Sequence, residues 1–172
     1  MQNDIEYCSC CGAKLTGRYE RLSKGLVLNL LKIRAKVLHE SEKANKLVNK
    51  VHLSNDLNLS KNQYNNFQKL RYHGLIAHYK DPITKEYESG YWIVTKRGNQ
   101  FCKNELFVPK KLLIFRNRIQ ERSEEKINFR DVLTEENTPH WYQKEDYKMD
   151  FLDTNDFDED EDENDNQLDL FD

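Results

Sequence analysis

Residues 57–101 read LNLSKNQYNNFQKLRYHGLIAHYKDPITKEYESGYWIVTKRGNQF, and this stretch decides the fold. Ser60 can cap a helix whose apolar stripe contains Phe67 and Leu70, and Gly74 stands where a helix ends in the left-handed conformation. The segments LIAHY and YWIVT have the β-branched and aromatic content of strands. Between them, KDPITKEYESG is a polar loop with turn residues. The stretch therefore predicts a helix followed by a β-hairpin.

The flanking residues extend this pattern in both directions. Downstream, Thr95 can cap a short helix, TKRGNQFCKNE. Upstream, VHL is a short extended piece, after which Ser54 can cap a brief helix through Leu57. Before it, one long helix is predicted over about residues 23–46, because apolar residues recur there at helical spacing and no proline interrupts them. Those residues are Leu26, Leu30, Ile33 and Val37.

The order helix, short strand, helix, turn, helix, hairpin, helix resembles a winged helix-turn-helix. The segments HGLIAHY and YWIVTKRGNQF are similar to the "GLI" and "VTxxGxxF" joints of winged-helix DNA-binding domains. The resemblance covers about a third of the chain. The predicted fold class is α+β: a winged helix-turn-helix with a small N-terminal Cys knuckle and a disordered acidic C-terminal tail. The predicted divisions are a knuckle (1–20), the winged helix (21–105), a strand-containing extension packed on the body (106–149) and the tail (150–172).

The charges of the chain are separated along its length. Residues 150–172 contain 12 Asp and Glu and no Lys or Arg, whereas residues 1–149 contain 18 acids and 27 bases, a net charge of +9. A basic body predicts a polyanionic partner, and a long acidic run predicts a disordered tail.

The predicted recognition helix presents a face suited to double-stranded DNA. No acid occurs between Asp56 and Asp81. Asparagine can pair with adenine edges, and lysine can bind phosphate or guanine. The residues predicted to bind DNA are Lys61, Asn62, Asn65, Asn66 and Lys69 on the helix, and Lys80 and Lys85 on the hairpin. Winged helices also serve as protein-interaction modules, and lysine and asparagine are common on any solvated helix.

Three cysteines crowd the N-terminus, in YCSCCG. Cys8 and Cys11 have the CxxC spacing of half a zinc ribbon and predict a structural Zn²⁺ site. No second CxxC is present, so the remaining ligands would come from Cys10, Cys102, His39 or His140, or from a second chain. The alternatives are a knuckle without metal and a redox pair.

The tail ends in QLDLF, which resembles at all five positions the peptides that dock on the bacterial sliding clamp of the replisome. The resemblance implies that the partner-binding residues are Gln167, Leu168, Asp169, Leu170 and Phe171. Gln167 would hydrogen-bond, while Leu170 and Phe171 would fill the clamp's hydrophobic pocket. Alternatively the tail folds back on the basic body, and its acids mimic phosphates over the recognition helix.

These features predict a cytoplasmic, non-enzymatic DNA-binding accessory or regulatory protein of replication or transcription, of the kind that a phage or mobile element encodes. The alternative is an inhibitor of host machinery with a DNA-mimicking tail. No phosphate-binding loop or HExxH motif is present, and no apolar run is long enough for a membrane span. His73 is expected to be a helix C-terminal residue that the helix dipole favours. The long first helix could form a homodimer interface or contribute only to the domain's own core.

Overall fold

The structure is a computed structural model that describes residues 7–13, 16–44 and 50–142. Helices and strands alternate through these residues, which confirms the α+β class. In chain order the elements are β1 (Arg18–Arg21), α1 (Lys24–Ala44), β2 (Val51–His52), α2 (Leu53–Asp56), α3 (Lys61–Asn66), a 3₁₀ segment (Phe67–His73), β3 (Ile76–Lys80), β4 (Tyr87–Val94), α4 (Lys96–Cys102), β5 (Val108–Pro109), β6 (Lys111–Phe115), β7 (Arg118–Arg122), β8 (Lys126–Ile127), α5 (Phe129–Val132) and a second 3₁₀ segment (Glu135–Asn137).

Helix α1 forms one wall of the hydrophobic core. Leu30, Ile33 and Val37 have no exposed surface, as their helical spacing predicts. Arg34 on the same helix is also buried, and its Nε donates a hydrogen bond to Asn99 Oδ1 of α4 at 2.8 Å. This bond compensates part of the cost of removing a guanidinium group from water. Within the described residues, the apolar stripe of α1 is used by the protein's own core.

The predicted order of elements from α1 to α4 is confirmed. Strands β3 and β4 form an antiparallel hairpin, and β2 pairs with the other side of β4. The loop of the hairpin is shorter than predicted, because β4 already begins at Tyr87. Phe67 packs edge-on against Trp92 of β4, with 4.9 Å between ring centroids, and so fixes the segment after α3 to the sheet.

The predicted single helix after Ser60 is in fact two helical types. It is α-helical in α3 and then 3₁₀ from Phe67 to His73. The buried residues of the 3₁₀ part are Phe67, Leu70 and His73, which are three apart. A 3₁₀ helix has three residues per turn and places such residues directly above one another, so this winding turns all three side chains into the core.

Of the capping residues predicted at Ser54, Ser60 and Thr95, the last two are confirmed. Ser60 Oγ accepts from the Gln63 amide at 3.3 Å, and Thr95 Oγ1 accepts from the Gly98 amide at 3.0 Å. The prediction for Ser54 is wrong, because Ser54 lies inside α2. His52 is the N-cap there, and its Nδ1 accepts from the Asn55 amide at 3.2 Å.

The extension after residue 105 closes the core from another side. Its strand β6 pairs with β1 and β7, and β5 pairs with β8. Phe129 of α5 is fully buried and stacks on Tyr142 with 5.3 Å between ring centroids. Strand β1 comes from residues that the sequence assigned to the knuckle and the winged helix, so the extension shares both its sheet and its core with them.

Candidate nucleic-acid interface and cysteine cluster

Helix α3 is held against α1 through Gln63 in its first turn, which uses both its backbone carbonyl and its side chain. Asn29 Nδ2 of α1 donates to the Gln63 carbonyl at 3.3 Å, and Lys32 Nζ donates to Gln63 Oε1 at 3.2 Å. The Gln63 side chain also accepts from the Ser60 amide at 2.9 Å, which completes a capping box. Because these contacts fix one side of α3 to the body, the other side faces solvent.

The solvent side of α3 carries the side chains that the sequence predicted for DNA. Lys61, Asn62 and Asn65 are exposed, and Tyr64 beside them is 48% exposed. Lys61 and Asn65 make no side-chain hydrogen bond or ion pair to any other described residue. Asn66 is half-buried, and its Nδ2 donates to the Asn62 carbonyl at 2.8 Å. We name this solvent side, Lys61 to Asn65, the α3 face.

Lys69 differs from the residues of the α3 face. Its Nζ lies 3.0 Å from a carboxylate oxygen of Glu20 on β1, and Glu20 is 8% exposed. Arg18 also contacts Glu20, with its Nε at 2.9 Å from the carboxylate. The positive charge of Lys69 is therefore partly neutralised within the protein, and the residue fastens the 3₁₀ segment to β1.

The hairpin β3–β4 has no net positive charge, because residues 76–94 contain two lysines and three acids. Lys80 Nζ lies 5.6 Å from the Tyr87 ring centroid, and Lys85 is exposed with a φ of 61°. Asp81 orders the loop by accepting from the Ile83 and Thr84 amides at 2.8 and 2.9 Å, and these bonds lower the pKa of its carboxyl group. Lys80 and Lys85 thus follow the α3 face by at least 15 residues, and each is next to an acid in sequence, Asp81 or Glu86.

His73 ends the 3₁₀ segment, as predicted. The residue is only 4% exposed, and burial lowers its pKa to about 4. The Pro109 backbone offsets only part of this effect, and neither ring nitrogen has a hydrogen bond of ordinary geometry to a described residue. Desolvation of the imidazolium outweighs its attraction to the helix dipole. Gly74 follows with a φ of 68°, the predicted left-handed conformation.

Sequence reasoning missed one group of basic residues near the 3₁₀ segment. The hairpin β6–β7 turns at Arg116 and Asn117, and Asn117 Oδ1 accepts from the Tyr72 hydroxyl at 3.2 Å. The letters FRNRI contained a usable signal, because asparagine between two apolar alternating runs is typical of a tight hairpin turn.

The three N-terminal cysteines form a cluster. The sulfurs of Cys8, Cys10 and Cys11 lie within 4.8 Å of one another, and those of Cys8 and Cys10 are 2.9 Å apart. A tight turn brings them together: the Gly12 amide donates to the Cys8 carbonyl at 2.9 Å, and Gly12 has a φ of 68°. The three side chains could hold a metal ion.

The electrostatics of the cluster favour one thiolate. The Cys10 thiol and the backbone amides of Cys10 and Cys11 donate to Cys8, and they lower the pKa of Cys8 to about 6. Sharing that proton raises the pKa of Cys10. A thiolate is the form that binds metal and attacks disulfides.

The other predicted metal ligands are placed elsewhere. Cys102 is fully buried in the core, and the Tyr142 hydroxyl donates to its carbonyl. Within the described ranges, no histidine, carboxylate or fourth cysteine joins the cluster, so His39 and His140 are not brought to it. A tetrahedral ion held here has three protein ligands from the described residues.

The predicted clamp-binding residues, 167–171, lie outside the described residues. In the described ranges, no helix combines the length and the apolar character that a bilayer span requires. Comparison of the chain with protein families, curated proteins and solved structures found no match.

Proposed function

We propose that this chain is a non-enzymatic, cytoplasmic accessory or regulatory protein that binds duplex DNA through a winged helix-turn-helix and docks on the bacterial sliding clamp through its C-terminal QLDLF. The α3 face carries the proposal. It is exposed, contains lysine and asparagine, and is held outward by α1. No acid occurs in the sequence between Asp56 and Asp81. Such a face suits the major groove of DNA, which admits an α-helix.

The layout around α3 supports the same function. Two helices, α2 and α3, follow α1, and the hairpin β3–β4 follows them at the end of the 3₁₀ segment. Thr95 Oγ1 donates to the Gly74 carbonyl at 2.7 Å and joins the end of that segment to the end of the hairpin. This fixed joint holds the α3 face and the hairpin in one orientation, as binding to a rigid duplex requires.

The cysteine cluster gives a second part of the proposal. Cys8, Cys10 and Cys11 bind one structural Zn²⁺, with Cys10 as the third ligand that the sequence left open. The fit is chemical: thiolates are ligands that zinc prefers, and Cys8 is already poised to ionise near neutral pH. Water or a group outside the described residues completes the coordination.

Duplex binding is tested by fluorescence anisotropy over a salt series. The double variant Lys61→Ala with Asn65→Ala should weaken binding at least tenfold, because it removes a phosphate contact and a base contact worth about 1–3 kcal/mol. The matched control is Lys43→Ala, which removes one charge from the exposed last turn of α1. Lys43 is about 16 Å along α1 from Lys32, which contacts α3. Equal effects of the two variants on affinity would contradict DNA binding by the α3 face.

Clamp docking is tested separately with the intact chain. Sliding clamp should be recovered on the wild-type protein and lost with Leu170→Ala and Phe171→Ala together. The control is Leu152→Ala with Phe151→Ala, which removes a similar apolar pair from the start of the tail. Equal clamp recovery by both double variants contradicts docking through QLDLF and leaves DNA binding untouched.

A further inference from the structure

The hairpin β6–β7 carries the positive charge that the hairpin β3–β4 lacks. We name residues 111–122 the basic hairpin. It contains four bases and one acid, which are Lys111, Arg116, Arg118, Arg122 and Glu121. The hairpin β3–β4, residues 76–94, contains only two lysines against three acids. Of these two hairpins, only the basic hairpin has a net charge suited to phosphate groups.

The turn of the basic hairpin presents its arginines to solvent. Arg116 and Asn117 have φ values of 49° and 60°, and Phe115 pairs with Arg118 across the turn. Positive φ at both central residues is the mark of a two-residue turn whose twist matches that of the strands. Arg116 and Arg118 are both exposed, and the Arg116 guanidinium lies 5.2 Å from the Phe115 ring centroid.

Two polar contacts fix this hairpin beside the 3₁₀ segment that continues α3. The Tyr72 hydroxyl donates to Asn117 Oδ1 at 3.2 Å, at the turn itself. The Lys69–Glu20 ion pair at 3.0 Å joins the same segment to β1, the strand next to β6. The turn of the basic hairpin therefore lies at the far end of the helical segment from Lys61.

The spacing fits a duplex. Six α-helical and seven 3₁₀ residues, 61–73, span about 23 Å, and the major groove is about 12 Å wide. When the α3 face lies in the groove, a group at the other end of the segment reaches the phosphates that flank it. We propose that Arg116 and Arg118 of the basic hairpin bind the duplex backbone beside the groove that α3 occupies, a proposal that rests on duplex binding by α3.

The test uses the full chain and a random duplex of about 30 base pairs. The double variant Arg116→Ala with Arg118→Ala should reduce the slope of log K against log salt by about 2 units, since each phosphate contact contributes about 0.9. The double variant to Lys keeps the charges and should restore most of the slope. Arg122→Ala is the matched control, because it removes one arginine from the other end of the same hairpin, where Arg122 pairs with Leu112.

Each result decides the proposal. The proposal is supported if the Ala pair reduces the slope, the Lys pair restores it, and Arg122→Ala leaves the slope at its wild-type value. If the Ala pair leaves the slope unchanged while Lys61→Ala with Asn65→Ala weakens binding, the basic hairpin does not contact the duplex, and the proposed function stands. If the wild-type protein binds no duplex at low salt, both fail. If the Ala pair weakens binding to single-stranded DNA or to RNA of the same length but not to the duplex, the assignment of Arg116 and Arg118 to the duplex backbone is overturned. A thermal melt shows that each variant is folded.

Discussion

Acidification should destabilise this protein through His73. The imidazole is buried at the end of the 3₁₀ segment, and its pKa falls from 6.5 to about 4 on folding. The unfolded chain therefore binds a proton between these two pH values that the folded chain does not bind. Stability falls as the pH drops below about 6.5, and the loss stops growing below about pH 4.

The expected magnitude follows from the shift. A difference of 2.5 pKa units corresponds to about 3.4 kcal/mol at low pH, and about 2 kcal/mol of it is already lost at pH 5. This is a large share of the roughly 5–15 kcal/mol that stabilises an ordinary domain. At pH 5 most carboxylates remain ionised. The Cys8 thiol, whose pKa is lowered to about 6, also titrates between pH 7.5 and pH 5, so the contribution of His73 is read from the difference between the wild type and a His73 variant.

The measurement is urea unfolding at pH 7.5 and pH 5 for the wild type and for His73→Met. Methionine has a similar volume and no ring nitrogen to desolvate, so the variant should lose about 2 kcal/mol less than the wild type between the two pH values. His140→Gln is the control, because His140 is exposed. If His73→Met and the wild type show the same pH dependence, His73 is not a buried neutral group and the reasoning fails.

Three further predictions concern the joint, the cysteine cluster and the tail. Gly98→Ala should cost more than about 3 kcal/mol in thermal or urea unfolding, because a Cβ there would lie 2.0 Å from the Leu75 carbonyl oxygen. By contrast, a Cβ at Gly25 on α1 would make only an ordinary contact with Ser23 Oγ at 3.9 Å, so Gly25→Ala should stabilise by about 0.5–1 kcal/mol. Cd²⁺ added to the reduced protein should produce a thiolate charge-transfer absorbance. Cys10→Ser should decrease this absorbance, and the control Cys102→Ser should leave it unchanged. No absorbance, or equal effects of the two variants, contradicts the three-thiolate site. Deleting residues 150–172 should tighten duplex binding at low salt if the acidic tail covers the α3 face, and unchanged affinity removes that hypothesis.

Local rules predicted the central elements well. Ser60 and Thr95 cap the helices that they were expected to cap, and Gly74 adopts the left-handed conformation. Each of these outcomes depends on residues within about four positions of one another, so a single sequence contains the information. The glycine of the VTxxG joint, Gly98, has a non-local cause, since α4 lies directly against the Leu75 carbonyl, 23 residues earlier in the chain.

The 3₁₀ winding after Phe67 was not predicted because its third buried residue is polar. Phe67 and Leu70 fit an α-helical stripe as well as a 3₁₀ stripe, and only the burial of His73 distinguishes them. The prediction for Ser54 failed because α2 already begins at Leu53, where His52 is the N-cap and its Nδ1 accepts from the Asn55 amide.

The pairing of β1 with β6 could not be predicted from local sequence patterns. Arg18 faces Ile114 across about a hundred residues of chain, and a four-residue strand has no pattern that specifies so distant a partner. The ion pair of Lys69 with Glu20 and the position of the basic hairpin both follow from this pairing. For that reason the sequence assigned Lys69 to DNA and left Arg116 and Arg118 without a role.

Photocrosslinking from Tyr64 tests the central claim most directly. Tyr64 is exposed within the α3 face, and a benzoyl-phenylalanine there replaces one aromatic side chain by another. The same group at Glu42, exposed near the end of α1, is the control. The account predicts a covalent adduct with duplex DNA from position 64 and none from position 42. Duplex binding that persists with no adduct from position 64, or with equal adducts from both positions, would contradict it.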